Sequence, residues 1–250
     1  MNKYGKFYSK YYDLIYKQKN YISETDYILK LIKKYSKNKK PSILELGTGT
    51  GGHAKIIAKK KYQIDGLEKS KLMIKNFNIN NKKIKVYNQD MRYFSLKKKY
   101  DVVIALFCVV NYLTSLKDFD KMISRVKKHL NYNGIVIFDF WFSPAVNYLK
   151  PKKTFFKYNK DDIKIFRKCT PILKQNKVID ILYNFDITDK CRKFNFKEKH
   201  TVRHYSIYEL KKLFKKYNLE LVYKGEMITN LKPSKKTWKI CVVFKNALND

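Results

Sequence analysis

Apolar and polar positions change period along this chain, and the changes mark its parts. Tyr27, Ile28, Leu31, Ile32 and Tyr35 recur at helical spacing. Ser23 opens that helix, and Glu24 and Asp26 stand in its first turn, where acids suit the helix dipole. The aromatic-rich stretch from Tyr4 to Tyr16 before it reads as helical or irregular. After a polar loop at Lys37 to Pro41, Ser42 to Leu46 is a short apolar strand, and a helix follows from Gly52 to Lys60. Tyr62 to Leu67 and Lys83 to Tyr87 read as strands, separated by a helix over Lys71 to Asn76 that Ser70 caps. Tyr100 to Phe107 is a continuous apolar run, as expected of a strand buried on both faces. A helix over Asp118 to His129, a turn at Asn131 to Gly134 and a second buried strand, Ile135 to Phe140, come next. Alternating strands and helices predict a parallel, doubly wound sheet.

From Phe142 the period shortens. Thr154 to Val202 alternates and is rich in aromatic and β-branched residues, which predicts three antiparallel strands inserted on one side of the main sheet. Ser206 then caps a helix over Ile207 to Lys216, with Glu209 placed for a capping box. Leu219 to Lys224 and Trp238 to Phe244 close the chain as a strand pair.

Composition narrows the class. A chain of 250 residues with 44% apolar and 16% aromatic residues can bury a core of its own. It holds no apolar run long enough to span a membrane and no secretory h-region at its start. Cys108, Cys169, Cys191 and Cys241 are scattered, as expected of reduced thiols in a cytoplasmic protein. His53, His129, His200 and His204 show no ligand spacing beyond the weak pair His200 and His204, so no metal site is expected. The net charge of +35 invites a polyanionic partner. Against nucleic acid, only Arg92, Arg125, Arg167, Arg192 and Arg203 are arginines, the residue favoured for bidentate phosphate and base contacts. The lysines are spread along the whole chain. No stable nucleic-acid partner is therefore expected, although such a field would draw in anionic small molecules.

The chemistry concentrates at Ser42 to Gly52. Four of the 8 glycines, Gly47, Gly49, Gly51 and Gly52, follow a strand and open a helix. That is the layout of a nucleotide-type cofactor site, with backbone N–H groups facing the ligand. Glu68 ends the next strand about 20 residues beyond Gly47, where a carboxylate can accept both ribose hydroxyls. Glu45 is an acid within an apolar strand, and it needs a donor because an unpaired buried charge is costly.

These pieces resemble class I S-adenosylmethionine-dependent methyltransferases. The matching segments are E-L-G-T-G-T-G at Glu45 to Gly51, G-L-E at Gly66 to Glu68, Q-D-M-R at Gln89 to Arg92, Y-D-V-V at Tyr100 to Val103 and N-G-I-V-I-F at Asn133 to Phe138. A narrower likeness, to sugar-nucleotide N,N-dimethyltransferases, rests on Y-Y-D-L-I-Y (Tyr11 to Tyr16), F-C-V-V-N-Y-L (Phe107 to Leu113), D-F-W-F-S-P (Asp139 to Pro144) and the β insertion. The resemblance implies a Rossmann-like, mostly parallel seven-stranded sheet with a C-terminal antiparallel hairpin. It implies one domain over 1–250: a helical cap at 1–40, a cofactor-binding core at 41–145, an insertion over the substrate site at 150–204, and a helix and hairpin at 205–250. It assigns Tyr16, Glu45, Gly47, Thr48, Gly49, Glu68, Lys69, Asp90, Met91 and Phe107 to the cofactor, with Asp90 accepting from the adenine amino group and Met91 packing on the ring. Asn111, Tyr112, Trp141 and Phe142 fall to the acceptor, and Tyr16 and His129 to catalysis, with His204 a further candidate base. The expected partner is a small, anionic acceptor, and a homodimer is compatible with the pattern.

Two other enzyme classes stay open on the residues alone. Gly47, Gly49 and Gly52 also satisfy G-x-G-x-x-G, the signature of a nicotinamide-dependent oxidoreductase. The positive charge suits an RNA or DNA methyltransferase, although V-V-N-Y stands where adenine N6 enzymes carry N-P-P-Y. A cofactor-fold protein serving as an assembly partner is a third reading. Without a compelling His/Asp pair, an amine acceptor is favoured over a hydroxyl, which needs a base more.

Overall fold

Strands joined through crossover helices can pair in parallel, and here five of them do so in one sheet. The computed structural model describes residues 5–77 and 84–246. Helices α1 (Lys6–Ile15) and α2 (Tyr21–Tyr35) precede the sheet. Strands β1 (Ser42–Leu46), β2 (Gln63–Leu67), β3 (Val86–Tyr87), β4 (Tyr100–Ala105) and β5 (Leu130–Trp141) alternate with α3 (Gly52–Lys59), α4 (Lys71–Asn76) and α5 (Leu116–Lys128). Helix α6 (Ser143–Leu149) leads into β6 (Thr154–Lys160), β7 (Ile163–Leu173), β8 (Val178–Asp189) and β9 (Arg192–Arg203). Helix α7 (Ile207–Lys215), β10 (Leu219–Glu226) and β11 (Lys239–Asn246) complete the described chain.

The main sheet has seven strands in the order β10-β11-β5-β4-β1-β2-β3. The five strands β1 to β5 pair in parallel, and β11 runs antiparallel to both β5 and β10. The order reverses between β1 and β4, and the carboxyl ends there form the crevice in which such sheets hold ligands. One core layer packs α5 and α7 on the sheet through Phe119, Phe138, Phe214 and Phe244. The other packs α2 and α3 through Ile28, Ile32, Ile57 and Ile64.

The insertion is a separate antiparallel sheet of four strands, β6-β7-β8-β9, where the alternation predicts three. The extra strand is Thr154–Lys160, joined to β7 through the tight turn at Asp161. Its inner face buries Ile165, Phe185 and Ile187 against Tyr8, Tyr11 and Ile15 of α1, so the N-terminal helix is sandwiched beneath it. The expected turn at Asn131 to Gly134 lies inside β5. Asn133 takes a positive φ of 58°, and a register shift against β4 absorbs the irregularity. Helix α2 is capped by Asn20, whose side chain accepts from Ser23 N, and not by Ser23 itself. Helix α5 starts at Leu116 because Ser115 caps Asp118 N. Tyr4 and Lys83, the predicted starts of the first segment and the third strand, lie outside the described residues. The Ser206–Glu209 capping box forms as its spacing predicts.

Phe214 stacks on Phe244 at 3.8 Å between ring centroids and on Phe138 at 5.6 Å, fastening α7 to the sheet. Phe214→Ala is expected to lower unfolding free energy by about 3–5 kcal/mol in urea denaturation. A loss below about 1 kcal/mol would show that this stack is dispensable.

Candidate active site

Strand β1 must turn sharply to feed α3, and glycine permits it. Gly47, Gly49 and Gly51 have φ of 65°, 58° and 85°, the left-handed region closed to most side chains. A Cβ on Gly47 would be driven into Val109, whereas one on Gly49 would point into open space. The turn is pinned to β2: Gly47 N and Thr48 N donate to Leu67 O at 2.7 and 3.1 Å. Glu68 ties it further, accepting from Gly49 N at 2.9 Å and from Ser70 N at 2.7 Å. Burial pushes the Glu68 carboxyl up, against the pull of those backbone N–H groups.

Glu45 meets the donor its burial demands. Its Oε2 accepts from Thr48 Oγ1 at 2.6 Å, and its Oε1 lies 3.5 Å from His53 Nδ1. His53 Nε2 lies 2.9 Å from Glu24 Oε2. Glu24 also pairs with Lys19 and, at 2.7 Å, with Lys239 Nζ. Lys239 stands 3.8 Å from Asp139, whose Oδ1 accepts from Cys108 N at 3.0 Å. Three acids (Glu24, Glu45, Asp139) face two lysines, and protonation of His53 would close the balance. Burial alone would lower the His53 pKa, but hydrogen bonds and charge from Glu24 and Glu45 raise it. Burial alone would raise Glu24, but His53, Lys239 and Lys19 hold it well below the usual carboxylate range. Burial lowers Lys19, whose ammonium sits 4.2 Å from the Phe107 ring centroid.

The structure brings most of the expected residues to this crevice. Glu45, Gly47, Thr48, Gly49 and Phe107 line one cavity with Tyr12 and Tyr21. Tyr16 ends α1, its ring edge-on to Phe107 at 5.1 Å and its hydroxyl 2.9 Å from that of Tyr8. Thr50 Oγ1 donates to Asp13 Oδ1 at 2.6 Å, fixing α1 to the glycine turn. Lys69, Asp90 and Met91 follow the neighbouring strand tips. Asp90 is not a free acceptor: Arg92 grips both its oxygens and Lys69 Nζ lies 2.9 Å away. Met91 packs against the core beneath.

On the β4–β5 side, Asn111 is buried in a 3-10 turn (Val109–Tyr112) and accepts from Trp141 N, while its Nδ2 has no partner among the described residues. Tyr112 OH lies 2.8 Å from His200 Nδ1. Trp141 meets Trp238 edge-on at 5.4 Å. Phe142 packs into the main core, its backbone bridged to Tyr205. His129 departs from its catalytic expectation. It is buried after α5, at the opposite end of β4 and β5, where its Nε2 accepts from Leu96 N and its Nδ1 bonds Arg125 O. His204 is likewise structural, bonded to Ser143 Oγ and pushed down to about 4, first by burial and then by Lys177 and Arg203.

Sequence reasoning missed Lys19, Glu24, His53, Asp139 and Lys239 as one cluster. The available signal was Asp139, an acid inside the apolar run of β5 that needs partners for the same reason as Glu45.

A methyltransferase domain model matches residues 17–224. A dTDP-3-amino-3,6-dideoxy-alpha-D-glucopyranose N,N-dimethyltransferase from Streptomyces fradiae is 29% identical over 135 residues, 53% of this chain and 52% of that protein. A dTDP-3-amino-3,4,6-trideoxy-alpha-D-glucopyranose N,N-dimethyltransferase from Streptomyces venezuelae is 28% identical over 135 residues, 53% of this chain and 56% of that protein. The chain thus spans about half the length of these curated relatives. An S-adenosylmethionine-dependent methyltransferase from Clostridium acetobutylicum shares the fold at a TM-score of 0.80 and 22% identity, covering 98% of this chain and 99% of that one. The S-adenosylmethionine-bound amino pentose methyltransferase from Micromonospora echinaspora does so at 0.78 and 18%, covering 99% of both chains.

Removing one member of a buried ionic cluster leaves its partners uncompensated. Glu24→Ala is expected to cost about 3–5 kcal/mol in urea denaturation. Because the folded His53 pKa is raised, its stabilisation is present below about pH 6.5, the ordinary imidazole value, and is lost as pH rises through the folded pKa. The wild type should therefore lose stability relative to His53→Gln as pH rises above about 6.5. Parallel profiles for the two proteins would refute the protonated cluster.

Proposed function

This chain belongs to the methyltransferase domain family, and from that premise we propose that it methylates the amino group of a nucleotide-linked amino-sugar. The family sets the reaction class, methyl transfer, and its donor, S-adenosyl-L-methionine. When bound, that cofactor supplies a methyl group already activated on a sulfonium.

The residues of the chain supply binding and aim. Glu68 keeps a lone pair on each oxygen beyond its bonds to Gly49 and Ser70, and these serve the ribose hydroxyls. The glycine turn offers bare backbone on the open side of Gly49. Met91 would pack on the adenine ring, and Asp90, whose four lone-pair sites are taken by Arg92 and Lys69, would accept from the adenine amino group only by releasing one of those donors. Tyr16 and Phe107 close over the reacting centre and exclude water. Asn111, buried, accepts from Trp141 N and so positions Trp141. Tyr112 and Trp141 wall the acceptor pocket. Holding nucleophile, methyl and sulfur in line is worth up to about 7–11 kcal/mol, so positioning can carry most of the rate.

One observation carries the choice of a small acceptor. The inserted sheet and α1 together roof the carboxyl edge, and Tyr16 meets Phe107 at the tip of β4. A lid at that point suits a compact molecule better than a polymer. Neither His129 nor His204 stands free at the site, which favours an amine, since an amine needs no dedicated base.

The test is turnover of dTDP-3-amino-3,6-dideoxyglucose with S-adenosylmethionine, read by mass spectrometry of the sugar and release of S-adenosylhomocysteine. Methylated amino-sugar is expected. Methylation of RNA or DNA, with none of the sugar, would sink the reading. Calorimetry checks the ribose assignment: Glu68→Gln should weaken S-adenosylhomocysteine about 10- to 100-fold, the value of one charge-assisted hydrogen bond. Unchanged affinity would contradict it.

A further inference from the structure

Arg167 lies at the centre of β7, on the inner face of the inserted sheet. Its register partners are Phe156 on β6 and Phe185 on β8, and Phe185 is buried against α1. The guanidinium carbon lies 5.2 Å from the ring centroid of Phe156, 5.4 Å from that of Tyr183 and 5.7 Å from that of Tyr16. It is therefore boxed by three aromatic rings. One of them is the tyrosine whose ring meets Phe107 at the mouth of the cofactor crevice.

Aromatic faces attract a cation but leave its N–H groups unspent. Nε of Arg167 is buried without a hydrogen-bond partner among the described residues. Among the described residues, no carboxylate lies within ion-pair distance of it. The contrast with other arginines is direct: Arg92 holds Asp90 and Asp118, and Arg203 holds Glu209. This chain draws its positive charge from lysine almost everywhere, with only five arginines among 56 basic residues. A guanidinium differs from an ammonium in being planar, weakly hydrated and able to grip an oxyanion with two parallel N–H bonds. A flat aromatic box that fixes the plane of the fork prepares it for that contact. A second cation stands nearby: Lys17, just beyond Tyr16, lies with Nζ 5.7 Å from the ring centroid of Tyr158, an inner-face residue of β6.

We propose that Arg167 is the oxyanion anchor of the acceptor site and selects acceptors that carry a diphosphate. The diphosphate assignment rests on the reading of the acceptor as nucleotide-linked. The group enters beneath the inserted sheet, the guanidinium takes its oxygens in bidentate fashion, and Lys17 adds charge at the rim. The amino group is then presented past Tyr16 toward Phe107. Specificity thus resides on the roof, while the cofactor is held by the strand tips below.

Calorimetric titration with thymidine diphosphate tests this, with and without saturating S-adenosylhomocysteine. The wild type should bind it, and inorganic pyrophosphate should compete. Arg167→Gln should weaken thymidine diphosphate at least 10-fold, and Arg167→Lys, which keeps the charge but loses the fork, should weaken it less. Melting temperature and S-adenosylhomocysteine affinity should stay unchanged in both, which a purely structural role would not allow. If Arg167→Gln does not fold, Arg167→Lys carries the comparison. Equal diphosphate affinity in wild type and folded variants overturns the proposal. So does a wild type that binds S-adenosylhomocysteine but neither thymidine diphosphate nor pyrophosphate, and that result leaves methyl transfer standing. Conversely, Arg167-dependent diphosphate binding by a wild type that ignores S-adenosylhomocysteine sinks methyl transfer and keeps the anchor.

Discussion

Three carboxylates are buried where the parallel strands end, and they must be neutralised in place. Glu45, Glu24 and Asp139 are each nearly or fully inaccessible to water. A single uncompensated ion there would cost several kcal/mol, so the partners cannot be optional. Those partners come from far along the chain: Lys19 from the segment between α1 and α2, His53 from α3, and Lys239 from β11. Closing the cluster therefore draws the N-terminal helices, the glycine turn and the antiparallel edge of the sheet to one point. The placement of Tyr16 and Phe107 follows from it. Lys19 sits against the Phe107 ring while paired with Glu24, and Tyr16 is three residues upstream of that lysine. A cluster bought for its geometry rather than its stability agrees with the weak net return expected of buried ion pairs.

Local chemistry was legible in the chain, and distant partnership was not. The strand–glycine–helix turn could be read because one short segment contains its whole cause: apolar strand, permissive glycines, helix start. The Ser206–Glu209 capping box and the Ser70 cap were legible for the same reason. Glu24 does stand in the first turn of α2, but its pairing with Lys239 was not legible, because that lysine is more than two hundred residues away. His129 stood as a candidate base because nothing nearby in the sequence announces that Leu96 N, thirty-three residues upstream, occupies its Nε2. Asn131 to Gly134 carries turn residues yet extends β5, since pairing with β4 overrides the local preference and the bulge at Asn133 absorbs the conflict. Thr154–Lys160 is half exposed and polar on one side, so its strand character emerges only once β7 is there to pair with.

The surplus of lysine also becomes intelligible at the level of contacts. Lysine ammonium groups stand over aromatic rings on many elements: Lys34 over Tyr35, Lys55 over Phe77, Lys85 over Tyr87 and Lys98 over Tyr100. Each such contact at an exposed site contributes about 0.5–1 kcal/mol, and each covers part of a ring with an apolar stem. A chain rich in both lysine and tyrosine can thus stabilise its surface with its own composition. That use of lysine is diffuse and local, and it differs from the focused use of arginine at Asp90, at Glu209 and beneath the inserted sheet.

The two sheets divide the work because they meet different demands. The parallel sheet ends in backbone N–H groups, a glycine turn and acids, which suit a cofactor with hydroxyls and amino groups. Those tips are poor in free cations, since Lys19, Lys239, Arg92 and Lys69 are all committed to carboxylates. An anionic acceptor must find its counter-charge elsewhere. The inserted sheet can provide it, because an antiparallel strand places alternate side chains on one face and Arg167 falls on the face turned toward α1. Tyr16 lies between the two systems, touching Phe107 below and Arg167 above. Changes on the roof can therefore alter which acceptor is held without disturbing the acids and glycines that hold the cofactor.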